Sequence, residues 1–156
     1  AAVSDGLGDG QVVSGVGGQY NFVAMAHAIP DGRSVLMLRA TRESGGETRS
    51  NIVWNHGHVT IPRHLRDVVV TEYGVAELRG ASDEETITRM IAIADARFQD
   101  ELLATAKRAG KVRAGFGIPD AWRRNTPQAI ADALAPHRAA GRYATFPFGH
   151  DFDANE

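Results

Sequence analysis

The chain has 156 residues, 43% of them hydrophobic and 23% charged, so it is long enough to bury a core as one globular domain. Its 17 basic and 19 acidic residues give a net charge of −2, which argues against non-specific binding to nucleic acid or to a membrane surface. It contains no cysteine, which excludes disulfides, thiolate zinc sites and cysteine nucleophiles. It also lacks the run of roughly 18 apolar residues that predicts a membrane-spanning helix. A cytoplasmic protein fits this composition.

The first part of the chain alternates apolar runs with glycine-rich and polar segments. Residues 11–14 and 34–38 are predicted as strands, and the continuous apolar run of the second is typical of a strand covered on both faces. Between them, residues 20–29 carry apolar side chains on one side of a predicted helix. Residues 41–50 are polar and contain glycine, which predicts a surface loop.

The middle of the chain contains the clearest strand. Residues 51–54 and 58–61 are predicted as short strands around a turn, and residues 67–71 form a β-branched run typical of a buried strand. Strands that alternate with helices predict an α/β domain with an open, mostly parallel sheet and flanking helices. Residues 40–66 are expected to add antiparallel pieces.

Three helices are predicted in the second half, over residues 83–94, 96–109 and 127–134. Ser82 and Glu85 have the spacing of a capping box that opens the first of them. Gly110 is the expected C-terminal stop of the second helix, and Thr126 with Pro127 is an N-cap followed by a first-turn proline. The aromatic tail beyond them, residues 143–152, is expected to dock on the domain.

Residues 68–80 are the most informative segment, with the sequence VVVTEYGVAELRG. The β-branched run reaches Glu72, Tyr73 and Gly74, which predicts a buried strand that delivers a carboxylate and a phenol to a turn. Such a carboxylate is a candidate nucleophile or base. The alternative is a structural acid that accepts hydrogen bonds from neighbouring backbone, such as the N–H groups of the turn, or pairs with Arg79. Tyr73 is interpreted as a packing residue.

A glycine loop, residues 15–19, lies within the sequence SGVGGQYNF of residues 14–22. Glycines allow close backbone approach to a ligand, and the N-terminus of the following helix offers N–H groups to an anion or a developing oxyanion. The loop is not a dinucleotide fingerprint, because Tyr20 replaces the third glycine, and no P-loop lysine follows. The alternative is a tight turn without a ligand. The candidate binding residues are Gly15, Gly17, Gly18 and Gln19.

Histidines and arginines give weaker signals. His56, His58 and His64 suggest a metal, but no carboxylate has matching spacing, so turn and surface histidines are favoured and no metal is predicted. His27, on the helix after the glycine loop, is a candidate contact for a phosphate or carboxylate, but a packed or solvated histidine is favoured. Five arginines could bind phosphates or face solvent. They are Arg33, Arg39, Arg42, Arg49 and Arg63.

Residues 14–22 and 68–80 together resemble signatures of the acetyl-CoA hydrolase/transferase family, in its C-terminal domain. These are class I CoA-transferase-like enzymes of the 4-hydroxybutyrate/acetate CoA-transferase type. The resemblance runs over residues 11–103, with a weaker echo at residues 146–152. One departure is Asn21, at a position where the family commonly has Asp.

The resemblance implies a CoA-transferase-type α/β fold and chemistry on acyl-CoA, with a small carboxylate as acceptor or with hydrolysis of the thioester. In such enzymes a glutamate attacks the thioester carbonyl, and an acyl-glutamyl anhydride then gives a glutamyl-CoA thioester. The family places that glutamate before the glycine loop. The chain is therefore expected to be the C-terminal part of a longer polypeptide, whose upstream half is its partner and coenzyme A its substrate, without a metal. A homo-oligomer is also considered.

Two alternatives stay open. The chain could be a stand-alone thioester hydrolase that uses Glu72, or a non-catalytic CoA-binding or interaction domain. The intact mass of the native gene product separates the fragment from both, and binding of CoA without turnover favours the last.

Overall fold

The computed structural model describes residues 1–145. In chain order its helices and strands are α1 (Gln19–Ala28), β1 (Val35–Met37), β2 (Thr41–Ser44), β3 (Glu47–Ser50), β4 (Val68–Thr71), β5 (Gly74–Glu77), α2 (Asp83–Ala92), α3 (Ala96–Arg108) and α4 (Pro127–Ala139). Short 3-10 helices lie at Arg63–Leu65 and Asp120–Arg124. Of the tail expected to dock, Tyr143 is exposed, and the residues from 146 onward, including the family echo, lie outside the described residues.

The central sheet has three strands in the order β1-β4-β5. β1 runs parallel to β4, and β5 runs antiparallel to it. The reversal occurs because Glu72 and Tyr73 form a two-residue hairpin loop between Thr71 and Gly74, a connection that only antiparallel strands allow. The mixed α/β class is confirmed, but the sheet in residues 1–145 is mixed rather than mostly parallel.

One face of this sheet packs against α2 and α3. Leu36, Val69 and Ala76 are in register across the three strands and belong to a core that also contains Ile93 and Ala94, which follow α2. A second core joins α2 to α3 and to the loop after α3; its buried members are Ile91, Leu103, Ala106 and Val112. The core therefore lies between the sheet and the two helices.

The opposite face of the sheet is open. Val35 and Met37 of β1 are 58% and 77% exposed, so the prediction of a strand covered on both faces is wrong for residues 1–145. The reason is that the helices packed on the sheet, α2 and α3, lie on its other side.

Residues 41–50 form a β-hairpin instead of the predicted loop. β2 and β3 pair in antiparallel register, with Thr41 opposite Ser50. Gly45 and Gly46 have φ of 61° and 81°, the left-handed values at both central positions that a tight hairpin turn requires. The two glycines thus make a turn that closes a sheet of two strands.

The strands predicted at residues 11–14, 51–54 and 58–61 are wrong. In the described residues these segments form only isolated bridges, between Val12 and Gly6 and between Ile61 and Ala2. Ile52 and Ile61 are buried, but most of the other apolar side chains in these runs are exposed, so a short apolar run here did not indicate a paired strand.

The helices agree well with their sequence signals. The capping box at Ser82 and Glu85 is present in both directions, and Thr126 caps α4 through the backbone N–H of Ala129. α4 continues past the predicted end at Leu134 to Ala139. α1 lies where a helix was predicted, although no residue of it is buried.

Candidate functional site

The glycine loop lies on the surface at the start of α1. Gly17 has φ of 61°, a left-handed conformation that favours glycine, and Gly18 is the N-cap residue of the helix. Among residues 1–145, no side chain caps this helix end, and no acidic residue lies in its first turn. The first N–H groups of α1 are therefore available to donate to an anion or to a developing oxyanion.

The space beside the loop is open to a ligand. A Cβ atom added at Gly15 or Gly17 would meet no atom of residues 1–145 within 4 Å. A Cβ atom at Gly18 would lie 3.0 Å from Cε2 of Phe22, one turn further along α1. Gly15 and Gly17 therefore face open space, whereas the ring of Phe22 lies against Gly18.

Gln19 is held by a residue that the sequence did not single out. The hydroxyl of Ser4 donates to Gln19 Oε1 at 2.5 Å. Because the carbonyl oxygen of the side chain is occupied in this way, its NH₂ group is the part left to donate to a ligand. The segment before residue 11 thus helps to form the candidate site.

A buried carboxylate fixes that segment. Asp5 is almost fully buried, and its Oδ1 accepts a hydrogen bond from the hydroxyl of Thr60 and lies 3.1 Å from Nε2 of His58. The Thr60 bond, followed by the effect of His58, holds the pKa of Asp5 below its usual value despite burial. The backbone carbonyl of Asp5 also accepts from Val13 N at 2.8 Å. Asp5 therefore ties the chain leading to the glycine loop to residues 58–60.

Glu72 has a structural contact. It lies exposed in the β4–β5 turn, and its Oε2 accepts a hydrogen bond of 2.8 Å from the backbone N–H of Ala40. Ala40 is fully buried and directly precedes β2, so the carboxylate fixes the start of the β2–β3 hairpin. Glu72 thus accepts a backbone hydrogen bond, but the predicted donors in the neighbouring turn are wrong, because the donor is Ala40, 32 residues away in the chain.

Tyr73 joins the same turn to the start of α3. Its hydroxyl donates to Asp95 Oδ2 at 2.8 Å, and Asp95 is 0% exposed. Burial and the bond to Asp95 raise the pKa of the Tyr73 phenol. Burial acts to raise the pKa of Asp95, but hydrogen bonds from the side chain and backbone of Arg97, and from Tyr73, hold it below its usual value. This arrangement is a packing contact with a hydrogen-bonded end, in line with the interpretation of Tyr73.

Replacing Tyr73 with phenylalanine is expected to destabilise the protein by about 1.5–3 kcal/mol, because it removes a hydrogen bond to a buried charged carboxylate. Urea denaturation of the native gene product measures this change. Tyr143→Phe is the matched control, since Tyr143 is exposed and its change should stay within about 0.5 kcal/mol. Equal stabilities for the two variants would contradict a structural role for Tyr73.

His27 contacts a protein carboxylate. Its Nε2 lies 3.2 Å from Asp67 Oδ2 and 3.2 Å from the carbonyl oxygen of Leu65. Asp67 is buried and also accepts from the backbone N–H of Ser34 at 2.9 Å. Nε of Arg79 lies 3.9 Å from Asp67 Oδ1. The predicted alternative of a Glu72–Arg79 pair is therefore wrong, because Arg79 faces Asp67.

The five candidate arginines do not form one cluster. Arg42 donates to Ser50 O at 2.8 Å and to Asn51 Oδ1 at 2.9 Å, while Arg49 lies 3.3 Å from Glu47. Both arginines line a cavity of about 300 Å³ between the hairpin and α3.

The other three arginines lie elsewhere on the surface. Arg33 donates to the carbonyl of Gly32, and Arg63 pairs with Asp83 at 3.1 Å, while Arg39 is exposed. Phosphate binding by any of the five stays a prediction.

Of the other histidines predicted to lie in turns or on the surface, His56 and His58 are half-buried and His64 is exposed in the 3-10 helix at Arg63–Leu65. In residues 1–145 no group of three or more His, Asp and Glu side chains is placed to hold a metal ion. No helix in this part of the chain is long and apolar enough to cross a membrane.

The glycine loop and the β4–β5 turn both lie within residues that match a known protein family. Residues 1–106 match the acetyl-CoA hydrolase/transferase C-terminal domain. The match includes the glycine loop, the β2–β3 hairpin, the β4–β5 turn and most of α3.

Curated relatives carry CoA-transferase names. The chain is 40% identical over 99 residues to a probable butyrate:acetyl-CoA coenzyme A-transferase of Syntrophomonas wolfei, covering 62% of this chain and 22% of the relative. It is 34% identical over 97 residues to the 4-hydroxybutyrate coenzyme A transferase of Clostridium kluyveri, covering 62% of this chain and 23% of the relative. The chain thus spans between a fifth and a quarter of the length of these relatives.

Solved structures resemble the same part of the chain. RipA from Yersinia pestis matches with a TM-score of 0.55 and 36% identity, over 61% of this chain and 22% of that one. A 4-hydroxybutyrate CoA-transferase from Porphyromonas gingivalis matches with a TM-score of 0.50 and 35% identity, over 59% of this chain and 22% of that one. The shared fold accordingly covers more than half of this chain and a minor part of each larger structure.

Proposed function

Because the chain belongs to the family of acetyl-CoA hydrolase/transferase C-terminal domains, we propose that it is the C-terminal part of an acyl-CoA:carboxylate CoA-transferase or acyl-CoA hydrolase. The family recognised from residues 14–22 and 68–80 is confirmed by the match and by the relatives' names. In this proposal residues 15–19 bind the CoA thioester. The nucleophilic glutamate belongs to the part of the polypeptide that precedes residue 1.

The observation that carries the proposal is the exposed glycine loop at the uncapped start of α1, inside the residues that match the family. Gly17 holds the left-handed turn, and no described atom fills the space beside Gly15. A thioester carbonyl can therefore approach the loop backbone closely, and N–H groups at the helix start can donate to its oxygen.

The proposed chemistry is a double exchange. A glutamate carboxylate oxygen attacks the thioester carbonyl carbon, and the loop N–H groups stabilise the tetrahedral oxyanion. The C–S bond breaks, CoA leaves as a thiolate, and an acyl-glutamyl anhydride remains. The thiolate then attacks the glutamyl carbonyl carbon, which releases the acyl group as a carboxylate and leaves a glutamyl-CoA thioester. The acceptor carboxylate reverses these steps, or water hydrolyses the intermediate.

Glu72 is assigned a supporting role in this proposal. Its carboxylate already accepts a backbone hydrogen bond from Ala40, and the described contacts connect it to the β2–β3 hairpin rather than to the glycine loop. The relatives' additional length leaves ample sequence for a separate nucleophile, since the chain covers only 22% of one and 23% of another.

An assay of the native gene product tests the proposal. Incubation with acetyl-CoA and butyrate is expected to form butyryl-CoA and acetate, or to release CoA without butyryl-CoA if the protein is a hydrolase. Mass spectrometry of the acyl-CoA pool distinguishes the two products. Binding of CoA with neither reaction would contradict the enzyme proposal and favour a non-catalytic CoA-binding domain.

A further inference from the structure

The uncovered side of the central sheet is a continuous apolar surface. Register places Val35 opposite Val68, and Met37 opposite Val70, which in turn faces Val75. These five side chains point away from the core that contains Leu36, Val69 and Ala76, because neighbours along a strand alternate between faces. We call the surface formed by these five side chains the open sheet face.

The open sheet face exposes apolar side chains to solvent. Met37 is 77% exposed and Val75 is 61% exposed, on two different strands of one sheet. Contiguous exposed apolar surface of this kind marks a site of association. Parallel strand pairs such as β1–β4 occur mostly in sheets with helices on both faces, and here the described helices cover only one face.

The described helices leave no candidate for the second cover. α1 has no buried residue, and its Phe22 and Met25 are themselves exposed. α4 also has no buried residue. Neither helix therefore buries an apolar stripe on the open sheet face.

The curated relatives extend well beyond the part that this chain matches. The chain spans only 22–23% of its curated relatives, so most of a relative's length lies outside the residues that form this half-covered sheet. We propose that the open sheet face docks against one or more amphipathic helices from the preceding part of the same polypeptide. This inference rests on the proposed function, because that function requires the chain to be part of a longer enzyme.

The side chains of the open sheet face determine which residues the docking helix must present. A helix that covers Val35, Met37 and Val75 must present an apolar stripe, with residues at i, i+3, i+4 and i+7 facing the sheet. Glu77 lies in the same row as Val35 and Val68 at one end of the face. A basic or polar residue on the helix is expected there, since a buried unpaired carboxylate is costly.

Photo-crosslinking identifies what covers the face. The chain has three methionines, and photo-methionine is close to methionine in shape, so it reports contacts without a large substitution. In the native gene product, Met37 is expected to crosslink to a peptide that precedes residue 1. Met90, which packs on the core beside the covered face, is the internal control and should crosslink within residues 1–145.

A mixture of isotopically light and heavy copies of the protein distinguishes crosslinks within one copy from crosslinks between two copies. A Met37 crosslink to a differently labelled second copy, to a separate polypeptide or to this chain's own residues would overturn the proposal. So would no Met37 crosslink when Met90 crosslinks.

Cysteine labelling measures the coverage without an activity assay. Residues 1–156 contain no cysteine, so a label that peptide mass spectrometry maps to this chain reports only the introduced position. Met37→Cys and Val75→Cys are compared with Glu47→Cys, whose side chain is 73% exposed, each relative to its rate in denaturant. In the native gene product, positions 37 and 75 should react at least about tenfold more slowly than position 47. Equal rates would overturn the docking proposal even if CoA transfer is observed. Slow labelling without CoA transfer would leave docking supported and the proposed function contradicted.

Discussion

Residues 1–156 produced alone are expected to show no CoA-transferase turnover with acetyl-CoA and a carboxylate acceptor. Covalent transfer requires a nucleophile that can reach the thioester, and the carboxylate singled out in this chain, Glu72, is engaged with Ala40. The open sheet face gives a second reason, because Met37 and Val75 lose their proposed cover in the isolated chain. The measurement is initial rate under the same conditions as for the native gene product.

The control is the native gene product at equal concentration, which is expected to turn over. Circular dichroism of residues 1–156 shows whether the isolated chain is folded. Turnover by residues 1–156 within a hundredfold of the roughly 10 per second that is typical of enzymes would contradict the assignment of the nucleophile to another segment.

Valine in place of Gly15 is expected to lower kcat/KM of the native gene product by at least about a hundredfold, the scale of losing one oxyanion donor. A Cβ atom added at Gly15 meets no described atom within 4 Å beyond its chain neighbours, so the fold should tolerate a side chain there. It would instead fill the space through which a thioester reaches the loop backbone. Steady-state kinetics and thermal unfolding measure the two effects separately.

Gly117→Val is the matched control. Gly117 is also exposed, has no described atom within 4 Å of an added Cβ, and lies in the loop after α3, away from the glycine loop in sequence. It should keep normal kinetics. Gly17 and Gly18 are less informative sites, because Gly17 needs a left-handed φ and a side chain at Gly18 meets Phe22. A folded Gly15→Val enzyme with normal kcat/KM would mean that the loop is only a turn.

Sequence patterns predicted the elements whose signals are local. Ser82 and Glu85 are three residues apart on one turn, so their reciprocal cap needs no tertiary information. The β-branched run of β4 likewise predicted a central strand that ends at Glu72 and Tyr73, and the turn there is confirmed. Its antiparallel return as β5 was missed, because Glu72 and Tyr73 lack the Asn-Gly or Asp-Gly signal of a two-residue hairpin loop.

The antiparallel β2–β3 pair confirms the expectation of antiparallel pieces within residues 40–66, but residues 41–50 themselves were predicted as a loop although the sequence held a usable signal. Gly45 and Gly46 supply the two left-handed positions of a two-residue turn. The residues of β2 and β3 are mostly polar, so these strands lack the alternation of apolar and polar side chains that predicts a half-buried strand.

Long-range polar contacts of the candidate site were not predictable from spacing. Asp5 meets Thr60 and His58, and Ser4 meets Gln19, through folding that brings distant segments together. Asp95 had a local signal, since it directly precedes the predicted helix as its N-cap. Its bond to Tyr73 depends on packing of α3 against the sheet and had no such signal.

Trapping of the covalent intermediate tests the central claim most directly. The native gene product is incubated with acyl-CoA, the intermediate is trapped with hydroxylamine or borohydride, and the modified peptide is mapped by mass spectrometry. The label is expected on a glutamate that precedes residue 1. Glu72→Gln is expected to lower the free energy of unfolding but to change the rate of the chemical step little. A label on Glu72 would contradict this account and support a thioester hydrolase built from this chain alone.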